Sequence, residues 1–224
     1  MQSIKKTSSV IFFILLAMLD IWAVSTQNKD LEMLCKPLLM CALVLYYIVR
    51  VSKPNFWLVS ALFFSFWGDV FLLFDAEFFM FGLGSFLIAH ILYVKMTLGF
   101  FKERKMVPFV KAFLPFALFF TAVLFLVLEN LHELLIPVII YGFVIALFGS
   151  VASLHAKETK TRASTWLLFG AVLFIISDSC IAINTFYAPS LGFDIAIITL
   201  YLGAQFIICK AVILQYKKSN EHKI

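Results

Sequence analysis

Asp69 and Asp178 each stand alone as the one charge in a long apolar run, SALFFSFWGDVFLLF and AVLFIISDSCIAINTFY. An ionised carboxylate at mid-membrane costs about 3 kcal/mol on insertion scales, so each is by default a functional candidate. His90 occupies a third such run, FLIAHILY. Two carboxyls brought together in a low dielectric do not both ionise readily, and one keeps its proton near neutral pH. That supplies an acid and a base, the minimal kit for hydrolysing an acid-labile bond: one group protonates the substrate, while the other stabilises an oxocarbenium ion and guides water. Two Asp and a His could equally hold a metal ion, although no close-spaced ligand motif such as H-E-x-x-H is present. The plainer alternatives are that the Asp residues serve as hydrogen-bonding glue between membrane helices and that His90 is a satisfied core histidine.

The elements that must position these groups follow from composition. With 63% hydrophobic residues and a mean hydropathy of +1.01, the chain lies far above the roughly 45–50% apolar content of soluble domains. At about 20 residues per crossing helix, it divides into eight apolar segments at 8–26, 33–50, 55–74, 79–98, 108–128, 133–153, 165–188 and 193–215. These stretches run unbroken rather than alternating, which excludes an outer-membrane barrel. The expectation is an all-α polytopic membrane protein, one domain of eight transmembrane helices over residues 1–224. With both termini cytoplasmic, the inner segments carry Lys5, Lys6, Arg50, Lys53, Lys102, Arg104, Lys105, Lys111, Lys157, Lys160, Arg162, Lys217, Lys218 and Lys223, and the outer loops only Lys29. Asp30, Glu32, Asp75, Glu77, Glu129, Glu133 and Asp194 fall outside. That asymmetry obeys the positive-inside rule. It accounts for the net charge of +5 as topology and attraction to anionic lipid, with no surface for nucleic acid. The first segment, after Lys5-Lys6, resembles a secretory signal and is read as a retained helix.

Depth and face select further residues. At 1.5 Å of rise per residue, Asp69 and Asp178 both lie about 20 Å from the inner boundary. Lys36 on the second segment reaches a similar height, and Tyr201 and Gln205, an i, i+4 pair, approach it from outside. His90 is deeper and shares a face with Tyr93. Asp178 shares a face with Ile181, Ala182 and Thr185, while Asn184 stacks under Ser177. Asp20, also near mid-depth, is read as structural. Gly68, Gly82, Gly84, Gly142, Gly149, Gly170 and Gly203 are read as small contacts that let membrane helices approach. Cys35, Cys41, Cys180 and Cys209 form no C-x-x-C pair.

Five pieces in order, CKPLLM at 35–40, FSFWGDVFLL at 64–73, FLIAHILY at 86–93, LFIISDSCIAINTF at 173–186 and YLGAQFII at 201–208, resemble the YhhN-like family of integral-membrane lysoplasmalogenases. The resemblance implies hydrolysis of the vinyl-ether bond of a lysophospholipid substrate, an alkenylglycerophosphocholine or -ethanolamine, without an obligatory organic cofactor. Carried over by motif position, it implies Asp69 and Asp178 as acid and base, with His90 positioning water or relaying a proton. Lys36, Asn184, Tyr201 and Gln205 become substrate contacts, Lys36 meeting the phosphate, and Tyr93, on the face of His90, is read as a further one. An ion-coupled transporter with mid-depth carboxylates, a metal-dependent hydrolase of another lipid and a non-catalytic scaffold are the competing expectations. Short loops suit a bacterial inner membrane.

Overall fold

The computed structural model describes residues 2–74, 76–101 and 106–221. Asp75, Lys102, Arg104, Lys105 and Lys223, assigned above to loops and termini, lie outside the described residues. Eight α-helices follow one another: α1 (Gln2–Ser25), α2 (Lys29–Ile48), α3 (Phe56–Leu72), α4 (Phe79–Leu98), α5 (Met106–Val127), α6 (Leu135–Thr159), α7 (Arg162–Phe186) and α8 (Leu191–Glu221), with no strand among the described residues. Each expected apolar segment is a helix. Seven are long and apolar enough to cross a membrane, whereas α3, with 17 residues, is shorter.

Helix ends outrun the apolar segments where polar residues continue the hydrogen-bond ladder. Helix α6 extends to Thr159 and α8 to Glu221, because hydropathy marks only the lipid-facing length of a helix. Explicit caps set other boundaries. The Asn28 side chain accepts from Leu31 N to open α2, and Asn55 accepts from Leu58 N to open α3. Lys160 takes a left-handed conformation, φ 48°, to close α6. The next residue, Thr161, opens α7 through a reciprocal capping box with Ser164, so two long helices meet with both ends hydrogen-bonded.

The chain forms two compact units, Met1–Tyr93 with Val212–Ile224, and Val94–Ala211. In the first, α1 packs along α2 and α2 along α3. Arg50, just past α2, donates to Ser9 Oγ at 2.8 Å and to the Lys6 carbonyl, and its guanidinium lies 4.1 Å from the centre of the Tyr46 ring. In the second, α6 is central, packed against α5 and α7. Gly142 makes the α5–α6 approach feasible: a Cβ there would fall 1.8 Å from the Phe120 ring. Gly84, read from the sequence as another such contact, faces open space instead. Helix α5 is thinly covered on its outer side, where Leu114, Leu118 and Phe125 are 58%, 62% and 72% exposed.

Candidate functional site

Asp178 in the second unit sits in a partly open pocket between α5, α6 and α7. Phe116, Phe120 and Leu124 of α5, Ile145 of α6 and Ile175 and Ala182 of α7 wall it. That Ala182 and Asp178 share this lining agrees with the helical face read from the sequence. The polar groups of the lining are Asp178, Tyr141 and Ser179. Ser179 turns its hydroxyl back to the Ile175 carbonyl at 2.7 Å. The Tyr141 hydroxyl donates to Asp178 Oδ2. The pocket is therefore an apolar cleft with an acid–phenol pair in its wall, the usual composition of a small-molecule site.

Tyr141 was not a candidate from sequence. Within PVIIYGFVI a lone Tyr reads as apolar filling, and only the Gly142 beside it, which admits the Phe120 ring, signals a close approach at this level of α6.

The remaining candidates of this unit have other surroundings. Tyr201 is buried and meets Phe174 edge-on, ring centres 5.4 Å apart. Gln205, one turn further along α8, is fully buried. Asn184 spans the corner between α7 and α8: its amide nitrogen donates to Asp194 Oδ1 at 2.7 Å and its carbonyl oxygen accepts from Ser190 N at 2.8 Å. Both ends of that amide serve the turn.

In the first unit, Asp69 is buried on α3, 6% exposed. Its neighbour Gly68 lets α4 come close, since a Cβ there would lie 2.6 Å from the Phe86 ring. The carbonyl of Phe86 bonds His90 Nδ1 at 2.8 Å. A carbonyl oxygen only accepts, so Nδ1 carries the hydrogen and the neutral imidazole keeps Nε2 as its acceptor nitrogen. His90 and Tyr93, expected on one face, are in edge-to-face contact with ring centres 6.3 Å apart. Lys36 is ion-paired with Glu32 one turn earlier on α2. Among the described residues no three His, Cys, Asp or Glu side chains form a group suited to a metal ion.

Two arrangements thus carry chemistry, each within its own unit. One is a carboxyl hydrogen-bonded by a phenol in the wall of an apolar pocket; the other unit holds a buried carboxyl on α3 and, separately on α4, a histidine whose Nδ1 bonds the Phe86 carbonyl. Comparison with known proteins bears on what they serve. No curated protein and no solved structure matches the chain. The description of the YhhN family matches residues 31–212, a stretch that holds all of these residues, and the chain belongs to that family.

Proposed function

We propose that the chain is a membrane-embedded hydrolase that cleaves the vinyl-ether bond of a lysoplasmalogen, giving a fatty aldehyde and a glycerophosphocholine or -ethanolamine. The observation that carries this reading is the Asp178–Tyr141 pair in the wall of an aromatic, otherwise apolar pocket. The pocket suits a hydrocarbon chain, and the pair suits proton transfer to an uncharged, poorly reactive bond. Family membership is consistent with it.

The chemistry asks little beyond two carboxyls. A proton added to the β-carbon of the vinyl ether converts the double bond into an oxocarbenium ion, which a nearby carboxylate stabilises. Water adds to the cationic carbon and gives up a proton to that carboxylate. The resulting hemiacetal breaks its bond to the glycerol oxygen, which leaves as an alcohol while the carbonyl forms. By motif position the two carboxyl roles are assigned to Asp178, held by Tyr141, and to Asp69, and the holding or relay of the water proton to His90. Tyr201, Gln205 and Tyr93 shape the surroundings, and Lys36 meets the phosphate.

In this reading α3 is the eighth crossing, both chain ends are cytoplasmic, and the protein resides in the inner membrane of a bacterium. The deciding experiment gives the purified protein lysoplasmalogen and its saturated alkyl-ether analogue and measures aldehyde. Release from the vinyl ether alone is expected. Release from neither would overturn the reading and favour a transporter.

A further inference from the structure

Ser179 borders the Asp178 pocket, and the chemistry above does not use it. Helix α7 contributes Ile175, Asp178, Ser179 and Ala182 to the lining, the i, i+3, i+4, i+7 spacing of one helical face. Asp178 and Ser179 are therefore neighbouring polar groups in the middle of that stripe. The rest of the lining is apolar apart from Tyr141.

The Ser179 hydroxyl has a single hydrogen, and it goes to the Ile175 carbonyl at 2.7 Å. The oxygen keeps its lone pairs once that hydrogen is committed, so toward the pocket Ser179 is an acceptor only. Asp178 borders the same space with Oδ2 engaged by the Tyr141 hydroxyl, and an ionised carboxyl is also an acceptor only. Two acceptors side by side suit a small molecule with two hydrogens to donate. In an apolar cavity, water is held only where it finds two to four polar partners, and this edge of α7 provides them.

We propose that Ser179 positions the attacking water: the Ser179 hydroxyl oxygen and the Asp178 carboxylate accept the two hydrogens of one water molecule, which leaves its lone pair facing the pocket. This rests on, and deepens, the reading of the chain as a vinyl-ether hydrolase, because it makes Asp178 the base and leaves the first protonation to another acid. The water oxygen forms the bond to the cationic carbon, and the π pair of the oxocarbenium returns to the ether oxygen. One proton passes to the Asp178 carboxylate, and the other stays on the new hemiacetal hydroxyl, bonded to Ser179. Ser179 takes no proton itself; it fixes the direction of attack, which is where orientation lowers a barrier. Water fills this place better than an alcohol does, since methanol has one hydrogen and must set a methyl group against one of the two acceptors.

The test incubates the full chain in detergent micelles with lysoplasmalogen in buffer containing methanol, and measures two products by mass spectrometry. Water capture of the oxocarbenium ion gives free aldehyde, whereas methanol capture gives a mixed acetal that keeps the glycerol. Ser179→Ala removes the second acceptor and is expected to raise the acetal-to-aldehyde ratio by about tenfold, the weight of one hydrogen bond. Ser179→Thr, whose hydroxyl can make the same bond to the Ile175 carbonyl, should restore the parent ratio. Because a serine bonded back to the carbonyl four residues earlier adds little to a helix, the alanine variant should melt no lower than the parent. Ser179→Cys, with a weak sulfur acceptor, should also raise the ratio and serves if the alanine variant does not fold. An alanine ratio equal to the parent's would overturn the role of Ser179. So would an equal rise in the alanine and threonine variants, the mark of altered shape rather than a lost acceptor. Aldehyde from the parent with an unchanged ratio in the variants refutes this role alone, whereas neither product from the parent refutes the hydrolase reading and this role with it.

Discussion

The hydroxyl of Tyr141 on α6 donates to Oδ2 of Asp178 on α7 at 2.5 Å. A hydrogen bond to a carboxylate is among the stronger kinds, and here it commits one oxygen and sets the rotamer of the acid in the pocket wall. The two helices pack against each other, so the phenol and the acid are supported by one helix pair.

Replacing Tyr141 by Phe removes one oxygen and leaves the ring as pocket lining. The expected result is a fall of about a hundredfold in kcat for aldehyde release, the size expected of a misoriented catalytic group, with KM nearly unchanged. Steady-state kinetics on lysoplasmalogen checks it. A variant as fast as the parent would remove Tyr141 from the reaction.

Asp178→Asn and Asp69→Asn keep size and polarity while removing the ability to exchange a proton. Each is expected to lose about a thousandfold or more of the turnover, within the range for a general acid or base. Circular dichroism should report unchanged helix content. A folded asparagine variant with full activity would sink the carboxyl mechanism.

Gly142→Ala places a methyl group where the Phe120 ring now lies, 1.8 Å from the nearest ring carbon. Overpacking of this kind costs about 1–3 kcal/mol, and the displaced ring is pushed toward the pocket that both helices line. The variant should melt lower and lose turnover on long-chain substrates more than on short-chain ones, as a chain-length series would show.

Asn184→Ala breaks the bonds to Asp194 and Ser190 at the α7–α8 corner. Losing hydrogen bonds at this partly exposed corner costs about 0.5–1.5 kcal/mol, so thermal unfolding should shift downward while kcat on the folded fraction holds. A lowered kcat/KM at unchanged melting temperature would mean instead that Asn184 touches the substrate.

The helices were legible because lipid imposes one requirement on every spanning segment, a continuous apolar length with its backbone bonds satisfied internally. All eight segments appear in sequence as apolar runs and in structure as helices, with errors confined to polar ends such as the tail of α8. Among the candidate residues, Asp69, His90 and Asp178 stood out since charge and imidazole are rare in such runs. Tyr141 did not, because a phenol among Ile and Val has no sequence contrast until its partner on the next helix is known. Asn184 shows the converse: motif position offered it as a substrate contact, and the hydrogen-bond partners it has belong to a turn that periodicity does not describe.

Helix α5 forms one wall of the Asp178 pocket while most of its other face is uncovered. If the chain acts on a lipid as proposed, a substrate dissolved in the bilayer would meet that helix sideways, and its hydrocarbon chain would have no need to pass through water to reach the pocket. Encounter is then two-dimensional, so the saturating variable is the mole fraction of substrate in the membrane or micelle. Diluting a fixed amount of substrate with inert detergent should slow the enzyme, whereas diluting the whole mixture with buffer should leave its saturation unchanged.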